Sequence, residues 1–416
     1  MPCESKVLDT HLHQESSVFF VSFYSQLLST TKRKHQSHGS SQRPMEEVRF
    51  NSPFVSGNER KYIDEVFASA HFSGNGPFTK RVQTWLEEFL NAPRVLLTHS
   101  CTAGLEMSAM LNEFGPGDEI IVPSFTFVTT ASSMMRSGAK VVFCEVDPET
   151  MLIDMNDVES KITNRTKGIV PVHYAGFSPD MELISQFCDE HDITFIEDSA
   201  QGLGSTWKGR NLGTFAPLAA ISFHETKNIH SGLGGCLVVN DEDLIEKAEI
   251  VWERGTNRSA FFKGLVDKYS WQEVGSSFYP SELQSAFLLA QLESMESNLR
   301  QRMELWNEYV RCFTPLENQG KLRIIRPPAE CNHNAHMFAI CLNSPEEADQ
   351  TRLRLNENGI QAVIHYVPLH TSPMGVKMGY SPEDLPKTNL AAQCLLRMPL
   401  HLEMGINDIQ RIASLF

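Results

Sequence analysis

The sequence predicts an α/β protein: a large, mostly parallel seven-stranded sheet domain followed by a smaller C-terminal α+β domain. Three observations carry this. Short apolar runs recur between residues 95 and 240, segments of helical period lie between them, and the runs are apolar on both alternating positions, as in strands buried on two faces. In chain order the strands are RVLLTHS, DEIIVPSFTF, AKVVFCEVD, KGIVPVHY, ITFIEDS, LAAISFHE and GCLVVND. Helices are expected at TAGLEMSAMLNEF, MELISQFCDEHD and DEDLIEKAEIVWERG, the first stopped by the turn GPGDE. Residues 281–313 carry one long amphipathic pattern, read as a helix leading out of the large domain. Beyond it AHMFAICLN reads as a strand, PEEADQTRLRLNENG as a helix and QAVIHYVPLH as a strand. The expected division is a large domain over 45–300 and a small one over 301–416.

The 416 residues suffice for two or three domains, and 41% hydrophobic with 21% charged residues is the balance of an ordinary globular chain. Acidic residues outnumber basic ones 51 to 36, a net charge of −15, which argues against general binding to nucleic acid or to a membrane surface. The nine cysteines contain no CxxC pair, so no metal site is expected, and their odd, scattered placement suits a reduced, cytoplasmic protein. Residues 1–44 differ in composition. Their apolar run SSVFFVSFYSQLL has only 13 residues, too few to span a bilayer. The charges flanking it are in the wrong order for a secretory signal. The segment reads as a disordered extension, with a transit peptide as the competing reading.

Candidate chemistry lies at strand ends, because ligands of parallel α/β sheets sit outside the carboxyl ends of strands. In THSCTAGLEM a strand passes through small residues into a helix, so Thr102 and Ala103 open a helix whose N–H groups suit a phosphate, or simply cap it. In FIEDSAQGLG, Asp198 ends an apolar strand. A carboxylate there either keeps the nitrogen of a pyridine ring protonated or is a buried acid satisfied by backbone. Gln201 stands three residues on, within reach of a ring hydroxyl. In SFHETKNIHSGLGG, Lys227 follows Ser222 by five residues and is set among Ser, Thr, Asn and Gly. An amine that forms an imine needs such fixing, which a solvated surface lysine does not. Ser222 offers a second phosphate donor, and Phe127 an aromatic face to cover a ring or pack in the core.

The segments PSFTFVTTA, PVHYAGF, EDSAQGLGSTWKGRNLGT, SFHETKN, RGTNRSAFFKG, DKYSWQEVGSS and HYVPLH, in that order, resemble the sugar-nucleotide aminotransferases of the DegT/DnrJ/EryC1/StrS family. The resemblance runs from about Met45 to Phe416. It implies the aspartate-aminotransferase (type I) fold, pyridoxal 5′-phosphate as cofactor, L-glutamate as donor, a nucleotide-sugar acceptor and a homodimer. Carried over, the lysine bound to the cofactor is Lys227, the ring-nitrogen acid Asp198 and its neighbouring ring contact Gln201. Thr102, Ala103 and Ser222 become phosphate contacts and Phe127 the stacking aromatic. Arg258, His365 and Tyr366 are the candidates for the nucleotide-sugar end. The later segments are most similar to the branch that converts TDP-4-keto-6-deoxy-D-glucose to TDP-4-amino-4,6-dideoxy-D-galactose, a step of surface-antigen biosynthesis. Another keto-sugar nucleotide as acceptor, or a regulatory homologue that binds cofactor without turnover, are the alternatives. Two positions depart from the family: Leu233 stands where Glu is usual, and Tyr279 where many members supply Asn to the partner's phosphate site.

Overall fold

The computed structural model describes residues 47–416 apart from Lys263. The readings made for residues 1–44 lie outside the described residues. Residues 46–416 pack as one compact unit.

The strands are β1 (Arg94–Thr98), β2 (Glu119–Pro123), β3 (Lys140–Cys144), β4 (Thr166–Ile169), β5 (Thr194–Asp198), the short β6 (Thr206–Trp207) and β7 (Arg210–Asn211), β8 (Leu218–Ser222), β9 (Gly235–Val239), β10 (Arg323–Ile324), β11 (Cys331–Asn332), β12 (Phe338–Cys341) and β13 (Leu395–Met398). Seven of them form the large sheet in the order β1-β9-β8-β5-β4-β2-β3. Strands β8, β5, β4, β2 and β3 are parallel, and β9 runs antiparallel to both its neighbours, β1 and β8. All seven expected strands are present. Strand β1 shows why its run is unbroken: Val95 and Leu97 enter the cluster under the helix Pro77–Leu90, and Leu96 enters the cluster on the other face. With both faces covered, every position is apolar.

The topology puts the carboxyl ends of β1, β5 and β8 on one edge, where β9 begins. A Cβ at Gly235, the first residue of β9, would lie 2.3 Å from Cys101 N. The last glycine of SGLGG is therefore what lets the helix Cys101–Leu111 start close against the sheet edge.

Two elements differ from expectation. The pattern over 281–313 is two helices, Glu282–Glu293 and Met295–Asn318, broken at Ser294, whose ψ of 2° leaves the helical range. The stretch 361–370 is not a strand: it makes a single bridge, Val363 to Arg397, then runs irregularly into the turn at Leu369–Thr371. Its β-branched composition misled, since Pro368 cannot donate to a ladder. The C-terminal three-stranded sheet β10-β12-β13 packs on the helices Met295–Asn318 and Ile406–Ala413 through Tyr309, Phe313, Phe338, Leu396 and Ile409.

Candidate active site

Lys227 lies in the twelve-residue excursion between β8 and β9, and that excursion is fastened along its length. Phe223 and Glu225 donate their N–H groups to Gly234 O (2.8 Å) and Gly232 O (2.7 Å), and Ser231 N donates back to Phe223 O (2.9 Å). Lys227 N donates to His224 O at 2.8 Å. The next residue, Asn228, is buried: its amide donates to Asn334 O (2.9 Å), its oxygen faces His336 Nδ1 (3.1 Å), and its carbonyl accepts from Asn298 (3.0 Å). Small polar residues fill this stretch because each closes a backbone or side-chain bond that a longer side chain would miss.

Lys227 is largely shielded from solvent, and desolvation of its amine pulls the pKa down to about 8. The nearby Cys101 and Asp198 oppose that shift, and the charge of the Arg397 guanidinium adds to it. Such an amine is partly free of its proton near neutral pH and able to attack a carbonyl.

Asp198, at the end of β5, is 4% exposed. Burial pushes its pKa up; a 2.6 Å bond from Thr130 Oγ1 and a 3.2 Å bond from Ala200 N hold it back. No cation reaches it within ion-pair distance among the described residues. A protonated ring nitrogen is the partner that would offset the cost of burying this carboxylate. Behind it, Glu197 is fully buried and accepts from His173 Nε2 (2.8 Å) and from the N–H groups of Gly213, Phe215 and Ala216 (2.6–2.7 Å). That web fixes the end of β5 and so the direction of Asp198.

Gln201 is clamped: its oxygen accepts from Ala175 N at 2.7 Å and its amide donates to the Tyr366 hydroxyl at 3.2 Å. His365 stacks on Tyr366 with centroids 3.7 Å apart, and its Nδ1 meets the Tyr174 hydroxyl at 2.8 Å. Desolvation, then the charges of Arg397 and Lys227, drive the His365 pKa well down, so the ring is neutral. Phe127 is 55% exposed and tilts towards Tyr366 at 6.3 Å. Thr102 and Ala103 lie in the first turn of the helix Cys101–Leu111, where Ser100 caps the Ala103 N–H at 3.2 Å. The Thr102 hydroxyl has no hydrogen-bond partner among the described residues. Ser222, buried at the end of β8, pairs with Gly235, which pairs in turn with Thr98 of β1, so the helix start and Ser222 face one edge.

The structure thus draws together Lys227, Asp198, Gln201, His365, Tyr366 and Phe127, and sets Thr102, Ala103 and Ser222 along the same edge. Arg258 stands apart: it opens the short helix Arg258–Phe262 with its guanidinium over Phe262, and no hydrogen bond or ion pair joins it to the cluster. Sequence reasoning missed Thr130, His336 and Arg397. Thr130 was in view within PSFTFVTTA, but its partner is 68 residues away. Arg397 left one signal, a lone charge inside the apolar run LLRMPL.

Among the described residues no group of His, Cys, Asp or Glu is arranged to hold a metal ion, and no helix is long and apolar enough to cross a membrane.

The family model for DegT/DnrJ/EryC1/StrS aminotransferases matches residues 54–416. The chain is 28% identical to a dTDP-4-dehydro-2,3,6-trideoxy-D-glucose 4-aminotransferase of Saccharopolyspora spinosa, over 87% of this chain and 95% of that one. It is equally 28% identical to a GDP-perosamine synthase of Caulobacter vibrioides, with the same coverage of each. Among solved structures, the Helicobacter pylori aminotransferase PseC of pseudoaminic acid biosynthesis superposes with a TM-score of 0.81 at 26% identity, covering 89% of this chain and 98% of that one.

Proposed function

The chain belongs to the DegT/DnrJ/EryC1/StrS aminotransferase family, and from that premise we propose that it moves the amino group of L-glutamate to C4 of a nucleotide-linked keto sugar, with pyridoxal phosphate as cofactor. The proposed acceptor is TDP-4-keto-6-deoxy-D-glucose, giving TDP-4-amino-4,6-dideoxy-D-galactose and 2-oxoglutarate. The observation that carries the reading is the pairing of a lysine of depressed pKa with a buried carboxylate that has no cation, both at the carboxyl edge of the sheet. These residues fit the cofactor's charges.

When bound, the cofactor supplies an electron-withdrawing ring that stabilises negative charge on the donor's α-carbon. Asp198 holds the ring nitrogen protonated, and Thr130 keeps Asp198 aimed. Gln201, released from Tyr366 or shared with it, serves the ring hydroxyl. The helix start at Thr102 and Ala103, with Ser222, holds the phosphate, and Phe127 covers one face of the ring. Lys227 Nζ would hold the cofactor's aldehyde end, and with a pKa of about 8 its amine is suited to accept and release the proton of the donor's α-carbon near working pH. His365 and Tyr366 line the sugar's approach.

The homodimer is supported by the excursion 258–274, whose Phe262, Leu265, Trp271 and Val274 are all more than 60% exposed. So much clustered apolar surface marks an interface. The eight described cysteines are all free, which suits a cytoplasmic setting.

The acceptor is tested by incubating the loaded enzyme and L-glutamate with TDP- and GDP-linked 4-keto-6-deoxy sugars and assigning the product by NMR. The expected product is the TDP-linked 4-amine of galacto configuration. Turnover of the GDP sugar alone would replace the acceptor and leave the chemistry in place.

A further inference from the structure

Two stretches form the aromatic wall of the site, and one hydrogen-bonded pair fastens them together. Phe127 stands on the loop that follows β2, and His365 and Tyr366 stand on the irregular stretch 361–370. Phe125 packs between the two, its ring centroid 5.2 Å from Tyr174, 5.5 Å from Tyr366 and 6.1 Å from His365. The second stretch has little hold of its own. Val363 bonds to Arg397 on β13, yet no backbone N–H from Ile364 to Val367 donates to another residue among the described residues. Ile364 and Val367 are exposed. The next anchor is Ser124, the first residue after β2.

Ser124 is fully buried and meets the stretch three times. Its carbonyl accepts from Leu369 N at 2.8 Å, and its hydroxyl oxygen accepts from His370 N at 3.0 Å. The hydroxyl also lies 2.6 Å from Nδ1 of the His370 ring, which is fully buried as well. Ser124 N donates to Cys144 O, at the end of β3, at 3.0 Å, so the pin is set in the large sheet. These contacts fix the tautomer. The hydroxyl proton has one acceptor among the described residues, Nδ1, so Nδ1 carries no proton and Nε2 does. A second proton on the ring would turn Nδ1 into a donor and leave the serine proton without an acceptor.

The charged groups that face the ring are Glu145 and Asp384, and the Pro382 backbone lies near it. Glu145 is held by the N–H groups of Lys387 (3.1 Å) and Thr388 (2.7 Å), and Asp384 by Ser381 N (2.6 Å) and its hydroxyl (3.0 Å). Both carboxylates favour a charged ring, but desolvation outweighs them and holds the His370 pKa below its ordinary value of 6.5.

We infer that His370 is a positioning residue for the cofactor slot: by accepting the Ser124 hydroxyl proton, it holds the stretch carrying His365 and Tyr366 against the loop carrying Phe127. The Tyr366 hydroxyl then stays 3.2 Å from the Gln201 amide and sets where that side chain points. This deepens the transaminase reading and rests on it.

The test titrates the full-length, cofactor-free protein with pyridoxal phosphate and follows the visible band. Parent, Ser124→Ala, His370→Leu, the double variant and His370→Asn are compared, and melting temperature reports folding. At pH 8 cofactor affinity is expected to fall about tenfold in Ser124→Ala and in His370→Leu, the usual effect of one lost hydrogen bond. The double variant should be no weaker than either single one, because each removes the same contact. Asparagine carries an oxygen at the same remove from Cβ as Nδ1, so His370→Asn should bind within about twofold of the parent at pH 8. It takes up no proton, so the affinity of the parent relative to His370→Asn should fall as pH drops below 6.5. Parent affinity in every variant, additive losses in the double variant, or a ratio of parent to His370→Asn that stays flat with pH overturns the inference and leaves the transaminase reading in place. If Ser124→Ala and His370→Leu do not fold, that ratio decides alone. A parent that takes up no cofactor removes the transaminase reading and this inference together.

Discussion

Lys227 titrates near 8 because its amine is desolvated and faces Arg397, and Asp198 and Cys101 only partly restore the charge. The sign of the pH effect follows. Protonation blocks attack on the cofactor's aldehyde, so the rate of cofactor loading should rise as pH increases through about 8 and level off above it. A stopped-flow loading series from pH 6 to 10 checks this, and a midpoint at the ordinary lysine value of 10.5 would contradict it. Stability moves the same way. The unfolded chain keeps this proton up to about 10.5 and the folded chain only below about 8, so between those values the cofactor-free protein gains stability with rising pH. Among single residues the sequence was legible where one ends a strand: Asp198 and Ser222 could be placed because strand ends meet at one edge, and Lys227 stood out by its setting among Ser, Thr, Asn and Gly just beyond Ser222. Arg397 and His336 could not, because their roles come from packing against segments far away in the chain.

Among the elements, the two helices Pro77–Leu90 and Glu282–Glu293 are joined chiefly through Glu282, with a 2.9 Å bond between the Thr79 and Ser285 hydroxyls beside it. Glu282 is buried and accepts from the N–H groups of Gly76 (3.0 Å), Phe78 (2.8 Å) and Thr79 (3.2 Å), and from the Thr79 hydroxyl. It thus caps one helix from the first turn of another, where a carboxylate meets the positive end of the helix. Glu282→Ala leaves three buried N–H groups unpaired and should cost about 3 kcal/mol in urea unfolding. The exposed Glu88→Ala should shift it by less than about 0.5 kcal/mol. Equal effects would remove Glu282 from this role. Strands were legible because burial on both faces writes an unbroken apolar run. The break at Ser294 was not, since the amphipathic pattern continues across it, and 361–370 imitated a strand by its composition although only Val363 bridges a neighbouring strand.

For the whole molecule, the exposed excursion 258–274 and the proposed dimer are one question. Sedimentation should give twice the chain mass, and Trp271→Asp with Phe262→Asp should shift the protein towards a monomer. A dimer of unchanged stability in the double variant would move the interface elsewhere. The layer order of the large sheet followed from the alternation of strand and helix. How chains associate did not, because an apolar loop reads the same whether it is buried at home or against a second copy.

In the proposed transamination Lys227 carries the cofactor and glutamate discharges it. The most direct measurement is the visible absorption spectrum of the purified protein with pyridoxal phosphate, before and after L-glutamate, beside Lys227→Ala. A long-wavelength band that requires Lys227 is expected, giving way to the shorter-wavelength band of pyridoxamine phosphate on adding glutamate. A band that forms equally in Lys227→Ala, or one that glutamate leaves untouched, would contradict it.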